Sequence, residues 1–304
     1  MLTLHNDRLR LVILPNVGAA FARFDMLLAN GTSLPVFRPA PPGATDPDQM
    51  ACYPLLPWSN RIQHGFPWHG EHVTLAPNVS GEPYPLHGDG WQRSWMVQSA
   101  SATDALLTLE SAWQPPFEYG ASMRCTLSAD ALEVGIAITH RGKRSAPYGF
   151  GLHPWLLRTP DVLLHAPAAG VFGEAVDHLP TDWSSIETRP EWDFHSPHPL
   201  PEGGINNLFT GWAGSAVITW PSRGMRLTIE TTPALPYYII YSPSSNSSFF
   251  CFEPVSHTID AHNTPSPVQA GLRVLRRSES IQATWRFRPV VEPTDHGYSS
   301  HWHW

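Results

Sequence analysis

The sequence predicts an all-β chain folded as a sandwich in one large domain, and three observations carry that prediction. Short runs of alternating or β-branched apolar residues recur from end to end. No stretch shows the 3.6-residue apolar period of an amphipathic helix. The 32 prolines interrupt helices and long central strands alike, which favours many short elements.

In chain order the strand candidates are "RLRLVIL" from Arg8, "EHVTLAP" from Glu71, "ALLTLES" from Ala105 and "LEVGIAIT" from Leu132. They continue with "SAVITW" from Ser215, "MRLTIET" from Met225, "FFCFEP" from Phe249 and "IQATWRFRP" from Ile281. Between them, "PAPPGATDPD", "HRGKRSAP" and "SPSSNSS" are turn chemistry, rich in residues that fix or permit unusual backbone angles. Sheets of this number must cover each other's apolar faces, which gives a sandwich or barrel. No internal period points to a propeller or solenoid. The proline-rich stretch Pro39–Pro47 is short and reads as a surface loop, so one domain over 1–304 is expected, with a tail after about residue 292 that ends in "HWHW".

Composition excludes several function classes. A formal charge of −7, from 19 Lys and Arg against 26 Asp and Glu, argues against binding a nucleic-acid backbone. Cys52, Cys125 and Cys251 form no CxxC pair, so neither a disulfide framework nor a thiolate zinc site is signalled. The first residues lack the pattern of a secretory signal and no stretch reaches the length of a membrane span; a cytoplasmic protein with no membrane partner is expected. The spacings His195/His198 and His301/His303 lack a carboxylate or cysteine placed to complete a shell, so no metal is expected. There is no GxSxG elbow, Walker lysine or HExxH, and "GFG" at Gly149–Gly151 leads into His-Pro rather than a helix that could receive a phosphate.

Two residues stand out chemically. His153, in "YGFGLHPWLL", and Glu253, in "FFCFEP", each end an apolar run and each precede a proline, which holds the preceding residue extended. A carboxyl there is driven toward neutrality by desolvation unless a partner compensates, and a carboxyl so tuned is a usable general base. A buried imidazole must also find partners for both ring nitrogens, so each position leaves a structural reading open beside the functional one.

Four blocks in sequence resemble the aldose 1-epimerase, or galactose mutarotase-like, family. They are Asn60-Arg61-Ile62 with Gly65, Phe66, Gly70, Leu75 and Asn78; His87-Gly88 with Gly90-Trp91; His153-Pro154; and Glu253-Pro254. The resemblance covers roughly residues 10 to 290 and implies a β-supersandwich, no cofactor, and interconversion of the α and β anomers of a free aldose. By that likeness Glu253 is the base toward the anomeric hydroxyl, His153 is the acid toward the ring oxygen, and Arg61 and His87 hold and polarise the sugar. A family "DxxF" aspartate falls here on Asn206 of "GINNLFTGW", with Asn207 adjacent; Asn keeps one acceptor, adds two donors and loses the charge. Trp155 is the aromatic candidate for a sugar-stacking face. The expected partner is a monosaccharide and the expected state a monomer or homodimer. Alternatives are a mutarotase for a sugar phosphate or uncommon aldose, and a non-catalytic carbohydrate-binding protein of the same fold.

Overall fold

The computed structural model describes residues 1–291; the terminal "HWHW" and the expected tail lie outside the described residues. Among those residues the regular structure is strands and short 3-10 turns, with no α-helix. Every strand pairing is antiparallel, which suits a chain whose connections are short and proline-rich.

Two large sheets dominate. One has nine strands, with Met225–Thr232, Ser280–Val291, Leu132–His140 and Phe117–Leu127 at its centre. The other has eight. Its order runs Pro180–Ser185, Gly170–Glu174, Ile205–Thr210, Tyr237–Ser242, Phe249–Val255, Gly151–Leu152 and Pro54–Leu55, and Trp155–Leu157 also pairs with Phe249–Val255. A four-stranded sheet from Leu2–His5 to Ser33–Pro35 lies at the N-terminal end. Strand Leu132–His140 shows why the sequence alternates: Leu132, Val134, Ile136 and Ile138 are buried while Glu133, Gly135, Ala137 and Thr139 are half-buried.

The eight-stranded sheet is apolar on both faces, and this positions the site. From Phe249–Val255, Phe250 and Phe252 enter the main core with Ile240, Trp285 and Phe287. The alternate residues Cys251, Glu253 and Val255 emerge on the opposite face, and Cys251 and Val255 join Ile239, Leu208, Tyr53, Trp91 and Trp155 in a second cluster. Glu253 therefore stands at the centre of a sheet face that loops cover, not at the sheet's solvent edge.

Candidate active site

His153 and Glu253, one hundred residues apart, meet on that face. His153 Nε2 lies 3.2 Å from Glu253 Oε1, and their side chains are only 7% and 3% exposed. The backbone explains the meeting. Gly151 pairs with Val255 and with Leu55, Trp155 pairs with Cys251, and His153 N–H donates to the Tyr53 carbonyl at 3.0 Å between those ladders. Glycine at 149 and 151 serves packing: a Cβ at Gly149 would stand 1.8 Å from Cδ2 of His257. Tyr53 stacks on the His153 ring at 4.6 Å between centroids, and Trp91 stacks on Tyr53 at 5.2 Å.

Burial sets the protonation of the pair. It raises Glu253 to about 8, against a smaller lowering by the Arg61 charge. It lowers His153 to about 3, with Arg38 adding to the effect. Burial thus favours the uncharged form of each group, a protonated carboxyl beside a neutral imidazole. The two groups touch, and desolvation disfavours both charges. Glu253 Oε2 and His153 Nδ1 are buried and make no hydrogen bond within the described residues.

Arg61 and His87 are brought to the pair by a strained, tightly pinned double loop. Asn60 and His87 both have left-handed backbones, φ 60° and 59°, which non-glycine residues adopt at a cost on the order of 1 kcal/mol. Reciprocal bonds hold them: His87 N–H donates to the Asn60 carbonyl at 2.9 Å, and Asn60 N–H donates to His87 Nδ1 at 2.9 Å. With Nδ1 accepting, the neutral ring carries its proton on Nε2. Burial, then His153 and Arg61, hold His87 well below the ordinary imidazole range. Its ring packs edge-on against His153 at 5.3 Å. Asn78 pins the loop from the far side, its Nδ2 donating at 2.8 Å to the carbonyls of Leu86 and Gly88.

The Arg61 guanidinium donates twice to Glu82, Nε to Oε2 and Nη2 to Oε1, each at 2.9 Å. This forked pair fixes a charge close enough to act on Glu253. Sequence reasoning missed Glu82, which carries no local signal, as it missed Tyr53 and Arg38.

The structure places the other two candidates differently. Trp155 lies beside His153 with ring centroids 5.5 Å apart, but Arg38 covers its ring at 4.0 Å and Phe249 packs against it at 4.5 Å. Only 8% exposed, Trp155 supports the histidine and has no free face for a sugar, a correction to its expected role. Asn206 stands opposite Tyr241, which stands opposite Cys251, so Asn206 shares the sheet face of Glu253 two strands away. Asn207 points to the other face and is buried, which resolves the register between the two. A hollow of about 520 Å³ lies further along the sheet, lined by Asn206, Tyr241, Glu174, Asp182 and Arg189, with none of His153, Glu253, Arg61 or His87 in its wall.

His153, Cys251 and Glu253 bring potential ligand atoms within 4.8 Å of one another. Burial, then Glu253, push the Cys251 thiol well above its ordinary value, so it is held protonated and ill-suited to ligation. His195 is exposed and turned to Asp193 at 2.7 Å. His301 and His303 lie outside the described residues.

Fold and side chains together define a β-sandwich protein with a buried imidazole–carboxyl pair on one sheet face, flanked by a fixed guanidinium and a second imidazole. The sequence pattern of the aldose 1-epimerase family matches residues 1–288, and the chain belongs to that family. It is 35% identical over 238 residues to the uncharacterized protein YphB of Escherichia coli K12, covering 76% of this chain and 81% of that one. A crystal structure of a candidate aldose 1-epimerase from Escherichia coli K12 superposes with a TM-score of 0.88 at 31% identity, covering 95% of this chain and 98% of that one. A galactose mutarotase-like protein of Clostridium acetobutylicum shares the fold at 15% identity, with a TM-score of 0.80 and 95% of each chain covered. The fold is the galactose mutarotase-like β-sandwich. No helix among the described residues is long and apolar enough to cross a membrane.

Proposed function

We propose that this chain is an aldose 1-epimerase that interconverts the α and β anomers of a free hexose through one shared proton on His153 and Glu253. The observation that carries the proposal is the 3.2 Å contact between those two groups on a covered sheet face. Opening a cyclic hemiacetal removes a proton from the C1 hydroxyl and delivers one to the ring oxygen, and both oxygens are bonded to the same carbon. Two groups in contact can therefore serve both oxygens from one side, with no sugar-sized gap between them.

The steps balance on a pair that carries one proton. As the sugar enters, the proton passes from Glu253 to His153 across their contact. The carboxylate takes the C1 hydroxyl proton, the imidazolium gives its proton to the ring oxygen, C1–O5 breaks and C1=O1 forms. Rotation about C1–C2 and the reverse transfers close the ring on the other face, and the pair ends as it began. Arg61 and the Nε2–H of His87 are the donors that hold and polarise the sugar oxygens. This chemistry needs only proton transfer, so the reaction is cofactor-independent and its partner is a monosaccharide.

The test is polarimetry with freshly dissolved α-glucose and α-galactose. Enzyme-proportional acceleration over buffer supports the proposal; binding without acceleration assigns a carbohydrate-binding protein instead. A second reading, an epimerase for sugar phosphates, rests on Arg38, whose guanidinium lies on Trp155 and makes no ion pair among the described residues. A kcat/KM at least tenfold higher for glucose 6-phosphate than for glucose would favour it.

A further inference from the structure

Two strands from Glu253, on the same sheet face, Asn206 is bound from the neighbouring strand Gly170–Glu174. Its Nδ2 donates to Oε1 of Glu174 at 2.5 Å, and Nδ1 of His178, in the turn that follows, meets the same oxygen. A carboxylate offers acceptors and no donor, so the amide nitrogen faces Glu174 and the orientation of the Asn206 amide is set by that contact. Its Oδ1 is left without a hydrogen bond among the described residues, and both side chains line the 520 Å³ hollow. The side chain of Glu174 is 28% exposed there.

We propose that Glu174 is a positioning residue that locks the Asn206 amide with its oxygen toward the hollow, so that the site presents a fixed acceptor to a hydroxyl of the sugar. The inference rests on the reading of this face as a sugar site and adds a residue, Glu174, that fixes how the site meets the sugar. Without Glu174 an amide can turn either its donors or its acceptor to the ligand, and half of its orientations offer the wrong group. With Glu174 the charge and the acceptor are divided between two strands, the carboxylate behind and the amide oxygen in front.

Reversing the polarity of this contact tests the proposal. Asn206→Asp sets a carboxylate against Glu174 at hydrogen-bond distance, and KM rises about tenfold or more through like-charge repulsion while kcat changes little. Asn206→Asp combined with Glu174→Gln restores the contact, because the new amide donates to the new carboxylate; KM returns to within about threefold of wild type. Glu174→Ala alone frees the amide and raises KM several-fold. A double variant that binds no better than Asn206→Asp, with melting temperatures like wild type showing that both fold, overturns the proposal. The same series is read by equilibrium titration with 1-deoxyglucose, which lacks the anomeric hydroxyl and cannot open. A wild type that binds 1-deoxyglucose without turning over glucose or galactose contradicts the epimerase reading, and the rescue pattern in binding still decides the role of Glu174.

Discussion

The alkaline side of the pH–rate profile exposes the protonation state on which the mechanism depends. Raising the pH removes the single proton from the pair; with Glu253 at about 8, half of the free enzyme has lost it at pH 8 and about nine-tenths at pH 9. The deprotonated pair keeps a base and has no acid, so kcat/KM falls about tenfold per unit above pH 8. On the acid side a second proton must enter His153, held near 3, so activity is flat from about pH 5 to 7. The assay is polarimetric mutarotation of fresh α-glucose at each pH, with the buffer rate, itself rising with hydroxide, subtracted. A kcat/KM that stays level or climbs through pH 9.5 refutes the reasoning, because the proton would then not come from this pair.

Other outcomes follow from the same geometry. Glu253 is raised above its ordinary 4.5, so its contribution to stability is full below that value and is lost as pH rises through about 8. His153 is depressed from 6.5, and its contribution is full above that value and lost as pH falls toward 3. Melting temperature should therefore be highest between about pH 4.5 and 6.5 and decline toward pH 8, and Glu253→Gln should flatten that decline; an unaltered slope in the variant assigns it to other groups. Glu82→Ala leaves the Arg61 charge without its counter-ion, which favours the Glu253 carboxylate, and the alkaline limb of the rate profile should move down by about one pH unit; an unmoved limb removes Arg61 from the electrostatics of the pair. Gly149→Ala forces a Cβ to within 1.8 Å of the His257 ring, whose Nε2 accepts from Ser59 N–H at 3.0 Å beside Asn60 and Arg61. Thermal melts should show a loss of about 2 kcal/mol or more together with a raised KM, and a melt like that of wild type contradicts the packing role of this glycine.

The all-β architecture was legible because sandwich strands with one face in the core alternate, as Leu132–His140 does. Strand Phe117–Leu127 was not recognised. Its residues Tyr119, Gly120 and Ala121 are buried in succession where the ladder shifts register beside Phe117, so alternation fails locally. Tyr237–Ser242 is buried on both sides at Tyr238, Ile239 and Ile240, and two-sided burial erases the period that marks a strand. The positions of His153 and Glu253 were readable as polar ends of apolar runs before proline. Their direct contact was not, since it depends on the pairing of Gly151 with Val255 across the sheet. Trp155 misled because tryptophan serves cores and sugars equally well in composition; only the guanidinium of Arg38 on its ring distinguishes them. Glu82 and Glu174 bond partners 21 and 32 residues away, and nothing in their own neighbourhoods marks them.

The central claim is tested most directly by the mutarotation rate of Glu253→Gln beside wild type at pH 7, with sugar binding measured on the same preparations. Glutamine keeps the shape and the contact with His153 but cannot exchange a proton, so kcat should fall about 10²-fold or more while affinity stays within about threefold. A variant that opens the ring at the wild-type rate would show that the proton travels by another route and that the meeting of these two side chains is structural.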